Sequence, residues 1–125
     1  MNSKSVLVID DEPAILQLLK RVLEAEGYNV HLAIDGISGM AKYAENQPDL
    51  VLLDIMMPGL DGYQVLESIR QDSDVPVVII TGKDDSDSLQ QVLALGADGL
   101  VQKPFPPLEI VGQIQEKMRL IEAVV

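Results

Sequence analysis

The sequence predicts an α/β fold, a doubly wound parallel sheet with helices on both faces. Three observations carry that prediction. Short apolar, β-rich runs alternate strictly with longer segments of helical periodicity, giving five βα units. The apolar runs read as buried strands bounded by turn residues. The chain has 125 residues, the size of one ordinary domain with its own core.

The elements follow in order. Residues 5–10, Ser-Val-Leu-Val-Ile-Asp, are the first strand. Ile15, Leu18, Leu19, Val22 and Leu23 then fall on one helical face, and Gly27 supplies the stop. Within that stripe Ile15, Leu19 and Leu23 point inward, leaving Ala14, Gln17 and Arg21 outward. Residues 28–33 form the second strand. Asp35 caps a helix whose inward residues are Ile37, Met40, Ala41 and Ala44. Pro48 breaks the chain before the third strand, residues 49–54. The turn-rich segment 57–62, Met-Pro-Gly-Leu-Asp-Gly, leads into a short helix with Val65, Leu66 and Ile69 inward. Residues 75–80 are the fourth strand. Leu89, Val92, Leu93 and Leu95 mark the fourth helix, which stops at Gly96. Residues 99–102 are a fifth, short strand. Pro106 and Pro107 open the last helix, with Leu108, Val111, Ile114, Met118 and Ile121 inward.

Bulk composition narrows the function. Apolar residues make up 47% of the chain, ordinary for a globular protein. There is no cysteine, so disulfides and thiolate metal sites are excluded. A net charge of −11 argues against direct contact with nucleic acid or an anionic membrane surface. Met1–Ser5 is polar and runs straight into an apolar strand, without the pattern of a signal peptide. No apolar run reaches membrane-spanning length. The expected location is cytoplasmic.

In open parallel sheets ligands bind beyond the carboxyl ends of the strands. That edge holds Asp10 and Asp11 after strand one, Asp54 after strand three, Thr81 after strand four and Lys103 after strand five. Three carboxylates brought together repel one another unless a cation intervenes. Hard oxygen ligands suit Mg2+. Carboxylates, a metal, a hydroxyl and an ammonium together make a site for a transferring phosphoryl group. Each residue also has a plainer reading. Asp10 or Asp11 can start a turn or cap a helix, Asp54 can open the turn that follows, Thr81-Gly82 is ordinary turn chemistry, and a lone lysine is commonly a solvated charge. Their arrival together at four strand ends favours the functional reading.

The chain resembles a two-component response regulator receiver domain over residues 1–125. The motifs are V-L-V-I-D-D-E-P at 6–13, D-L-V-L-L-D-I-M-M-P-G-L-D-G at 49–62, V-V-I-I-T-G at 77–82 and G-A-D-G-L-V-Q-K-P-F at 96–105. The resemblance implies a flavodoxin-like fold with strand order 2-1-3-4-5. It implies Asp54 as phosphoacceptor, and Asp10, Asp11, Asp54 and the Met56 backbone carbonyl around Mg2+ or Mn2+. It further implies Thr81, Gly82 and Lys103 on the phosphoryl oxygens and a cis bond before Pro104. The implied donor is a histidine kinase or phosphotransfer protein. The implied readout is a switch on the face of helix four, strand five and helix five. Such a domain catalyses its own phosphorylation and dephosphorylation but is not a conventional enzyme.

Two departures from the family's pattern stand out. Leu100 occupies a switch position where many members carry Tyr or Phe. Helix four has no Lys or Arg between Asp84 and Leu95, unlike members that dimerise as winged-helix transcription factors do. The chain is expected to be a single-domain regulator or the front of a longer one. The competing function is a receiver-like interaction module that is not phosphorylated. Other enzyme classes lack their signatures. The acids after strand one are adjacent rather than Asp-x-Asp, and neither G-x-x-x-x-G-K-[ST] nor a G-x-G-x-x-G after strand one is present. A flavin on the same fold is the remaining alternative, and colourless protein would count against it. The lone His31 reads as structural.

Overall fold

The structure, a computed structural model, describes residues 4–55, 62–82, 86–103 and 105–124, with backbone alone for 86–89 and 120–124. Strands β1 (Ser5–Ile9), β2 (Asn29–Ala33), β3 (Leu50–Asp54), β4 (Val77–Thr81) and β5 (Gly99–Gln102) alternate with five helices. These are α1 (Pro13–Ala25), α2 (Gly36–Asn46), α3 (Gly62–Arg70), α4 (Ser86–Ala94) and α5 (Pro107–Val124). All strand pairs are parallel, in the flavodoxin-like order β2-β1-β3-β4-β5.

The pleat sorts the apolar runs into two cores. Val6, Val8, Leu50, Leu52, Val78 and Ile80 face α1 and α5, where Leu19, Leu23, Ile110 and Ile114 meet them. Their alternate neighbours Leu7, Ile9, Val51, Leu53, Val77 and Ile79 face the opposite side, with Val65, Leu66 and Ile69 of α3 and Val92 of α4. Strands buried on both faces have no polar alternation, hence the continuous apolar runs. Every residue of β3 and β4 is buried.

The helix ends follow local chemistry. Pro13 opens α1, where its missing N–H costs nothing. Gly27 and Gly96 take positive φ, 92° and 99°, beyond α1 and α4. Asp35 caps α2 by accepting from the Ser38 N–H at 2.8 Å. That hydrogen bond, with the one from the Ser38 hydroxyl, holds the Asp35 carboxyl below its usual pKa. The cap's contribution is therefore present above the ordinary carboxylate range and lost as pH falls through the lowered value.

Several sequence expectations need correction. In α2 Ile37, Ala41 and Ala44 are exposed, and the inner face is Gly36, Gly39 and the partly buried Met40 and Tyr43. The cause is close approach: a Cβ on Gly39 would lie 2.7 Å from Ile9 Cδ1. A face built on glycines is invisible to a search for apolar side chains. In α1 Leu16 is buried beside Leu19 and Leu23, while Ile15, Leu18 and Val22 are only partly buried. In α5 Val111, Ile114 and Met118 are buried as expected, but Leu108 is 82% exposed and Ile110 is buried in its place. In α4 Leu93 is exposed, and Val92 carries the packing. Strand β4 starts at Val77 rather than Val75, and β2 at Asn29 rather than Tyr28. The inward expectations for Leu89 and Ile121 concern side chains outside the described residues.

Gly112, exposed within α5, offers a simple test of the helix register. A Cβ there would meet nothing within 4 Å, and its φ is not positive. Gly112→Ala should stabilise the domain by about 1 kcal/mol through helix propensity alone. Urea titration measures this, and a destabilised variant would mean that the position is packed or the register wrong.

Candidate functional site

The site lies where β1, β3, β4 and β5 end together. Ile9 pairs in register with Leu53, so the next residues, Asp10 and Asp54, emerge side by side. Asp54 itself aligns with Ile80, and Thr81 with Gln102. Backbone bonds hold these ends: Asp10 N–H to Ala33 C=O at 3.0 Å, Ile55 N–H to Ile80 C=O at 3.1 Å, and Lys103 N–H to Thr81 C=O at 2.6 Å. The sheet thus fixes four functional side chains before any of them contacts another.

Asp10, Asp54 and Thr81 are the buried polar residues at this edge, at 0%, 3% and 3% exposure. Asp11 and Gly82 are exposed. Asp10 Oδ1 accepts the Glu12 N–H at 2.9 Å, closing a short turn that starts α1. The Lys103 ammonium reaches into the acids. It stands 2.7 Å from Glu12 Oε1, 3.0 Å from Asp10 Oδ2 and 3.3 Å from Asp54 Oδ2. Burial of the ammonium works against its charge. Its contacts with Glu12 and Asp10 and the nearby charge of Asp54 outweigh that, and hold its pKa above the usual lysine range.

Among the described residues, four acids against one cation leave the cluster with excess negative charge. One carboxylate oxygen each from Asp10, Asp11, Glu12 and Asp54 can be chosen so that all lie within 4.8 Å of one another. Asp10 Oδ2 is buried, and the Lys103 ammonium meets it in an ion pair at 3.0 Å rather than a directed hydrogen bond. A buried oxygen in that condition, among hard oxygen donors, fits a divalent cation such as Mg2+.

The structure sets Asp10, Asp11, Asp54 and Lys103 together, with Thr81 at the end of the adjoining strand and Gly82 lining the groove beside them. Met56, its backbone carbonyl and Pro104 lie outside the described residues. Glu12 was missed. Its signal was its place directly after two aspartates, but nothing in the spacing tells a third acid in contact with Lys103 from a plain helix start. His31 stays half-buried on β2, in register with Leu7. Beside the acids an open groove of about 540 Å³ is lined by Glu12, Ile15, Leu18, Gly82, Lys103 and Phe105. A second cavity of about 530 Å³, between the far ends of α2 and α3, holds Asp72 as its one charged lining residue, remote from this chemistry.

A switch-point cluster of acids at the carboxyl edge of a 2-1-3-4-5 sheet defines a class of signalling domain, and comparison with known proteins agrees. Residues 6–115 match the response regulator receiver domain family, and the chain belongs to it. It is 43% identical over 118 residues to the response regulator GtcR of Aneurinibacillus migulanus, covering 94% of this chain and 48% of that protein. It is 40% identical over 114 residues to the DNA-binding response regulator MtrA of Mycolicibacterium smegmatis, covering 91% of this chain and 50% of that one. The chain therefore spans about half the length of these curated relatives. Among solved structures, a CheY-like receiver domain protein from Methanospirillum hungatei superposes with TM-score 0.93 at 31% identity, over 99% of this chain and 100% of that one. A receiver domain protein from Clostridium thermocellum gives 0.90 at 30% identity, over 98% and 99%. The chain is a receiver domain of two-component signalling. No described helix is long and apolar enough to cross a membrane.

Proposed function

We propose that residues 1–125 form one phosphoacceptor domain in which Asp54 takes a phosphoryl group from a phosphohistidine on a histidine kinase or phosphotransfer protein. The observation that carries this reading is the buried Asp54 carboxylate set beside Asp10, with the Lys103 ammonium 3.3 Å away. An Asp54 oxygen attacks phosphorus in line, and the bond from phosphorus to the donor nitrogen breaks. Lys103 and the Thr81 hydroxyl receive the phosphoryl oxygens, with the Gly82 N–H as a further donor. Mg2+ or Mn2+, held by Asp10, Asp11, Asp54 and the Met56 carbonyl, would supply positive charge against those oxygens.

The donor docks across the start of α1 and the groove beside it. Ala14 and Gln17 are exposed in the first turns of α1, and Arg21 is exposed further along the same helix. Phosphorylation then shifts a conformational equilibrium on the face of α4, β5 and α5. Leu100, partly buried against the α2–α4 core, has little reason to trade solvent for core. The switch therefore runs through Thr81 and α4, without an aromatic rotor. The domain's own net charge of −11 argues against direct binding of nucleic acid, which points to output through another domain or protein.

The test is uptake of phosphate from acetyl phosphate, weighed by intact-protein mass. One phosphoryl group should be added with Mg2+ but not when the metal is chelated beforehand, should be absent from Asp54→Ala, and should be cleaved by hydroxylamine as an acyl phosphate is. A gain that persists in Asp54→Ala or resists hydroxylamine would refute the assignment. No gain at all would favour an interaction module that is not phosphorylated.

A further inference from the structure

Glu12 is the one member of the cluster that the proposed chemistry does not use, yet it makes the shortest contact to Lys103. Its Oε1 lies 2.7 Å from the ammonium, against 3.0 Å for Asp10 and 3.3 Å for Asp54. The backbone of Glu12 is fixed. Its N–H donates to Asp10 Oδ1, and its carbonyl accepts from Ile15 and Leu16, each at 3.1 Å. Its side chain makes no cap bond to α1, although it stands at the N-cap. It reaches across the mouth of the groove to Lys103 instead, with 57% of its surface exposed.

Asp10 and Asp54 cannot withdraw, because they are buried on strand ends. Glu12 can turn into water at little cost. We propose that Glu12 is a positioning residue that holds Lys103 in the resting state and must release it when a phosphoryl group arrives on Asp54. This inference rests on the phosphoacceptor reading above. Glu12 opposes the incoming anion twice. It occupies the ammonium that should receive the phosphoryl oxygens, and its own charge repels them. It therefore sets how readily the domain accepts phosphate, without touching the transferred group.

Glu12→Gln keeps the shape and removes the charge. With acetyl phosphate and saturating Mg2+, its phosphorylation should be faster by roughly three- to tenfold, the effect of one nearby charge partly screened by water. Because Glu12 is exposed, that ratio should shrink as ionic strength rises toward 1 M. Glu12→Asp keeps the charge but shortens the reach, and should fall between parent and Gln. Mg2+ affinity, titrated by calorimetry, should change less than threefold. In a structure with beryllofluoride on Asp54, the Glu12 carboxylate should have left Lys103.

A parental rate in Glu12→Gln, or a retained Glu12–Lys103 contact in the beryllofluoride structure, would overturn the proposal. A slower rate with Mg2+ affinity weakened tenfold or more would also overturn it, since Glu12 would then be a metal ligand. A parent chain that takes up no phosphate would fail the phosphoacceptor reading itself. Normal uptake with a Glu12-insensitive rate would fail this inference alone.

Discussion

Lys103→Met should lower the stability of the metal-free domain by about 3 kcal/mol at neutral pH, which is on the order of 10 °C in melting temperature. The methionine fills the same space, so the loss is electrostatic. Lys103 contacts Glu12, Asp10 and Asp54, and the last two are buried. Breaking a buried pair by deleting one partner leaves uncompensated charge, which costs more than the pair contributes. The sign with pH follows from the raised pKa of the lysine. A raised value means the contribution is complete below the unfolded lysine pKa of about 10.4 and fades only as pH rises through the folded one. It is therefore fully present at pH 7. One rescue should separate charge from packing. Mg2+ should restore much of the stability, because it answers the same excess of negative charge. Urea titrations with and without Mg2+ decide the matter, and a variant as stable as the parent without metal would mean that the cluster stores no repulsion.

The fold was legible because one physical signal repeats along the chain. Strands buried on both faces are continuous apolar runs, and β1, β3 and β4 declare themselves without help from local propensity. Helix faces were read less well, for a definite reason. Periodicity counts apolar side chains, whereas α2 packs through Gly36 and Gly39 and turns Ile37 to solvent at 73% exposure. In α5 the two residues Leu108 and Ile110 fit the apolar pattern equally in sequence, and only docking onto β4 and β5 distinguishes them.

The site was more legible than the helices. Its acids stand at strand ends, and strand ends of a doubly wound sheet converge by topology rather than by packing detail. Asp10, Asp54, Thr81 and Lys103 follow directly from that rule. Glu12 does not, because its part depends on where a flexible side chain turns after the strand has ended. Nor does the register of Gly62, which looks in sequence like the close of a turn. Its importance lies in a contact that no pattern encodes.

Gly62→Ala should therefore be the most damaging small substitution in the described chain. Gly62 begins α3, is buried, and donates its N–H to the Ile55 carbonyl at 3.3 Å. A Cβ added there would stand 2.5 Å from the Asp54 carbonyl oxygen and 3.0 Å from the Ile55 carbonyl carbon, and would overlap Ile55 Cα. These are backbone atoms at the end of β3, so no rotamer change can make room. Either α3 must lift from the sheet or the end of β3 must move, and both displace Asp54. Overpacking of this kind costs about 2–3 kcal/mol. A shift near 1 Å at the attacking carboxylate can cost on the order of a hundredfold in rate. Uptake from acetyl phosphate should accordingly fall at least tenfold in molecules that remain folded at low temperature. The stability loss alone would not separate this from ordinary core damage. The comparison is Gly112→Ala, the same chemical change in open space, which should leave uptake unchanged and raise stability. If Gly62→Ala instead melts like the parent and is phosphorylated at the parental rate, then α3 does not clamp the end of β3, and the placement of Asp54 owes nothing to that close approach.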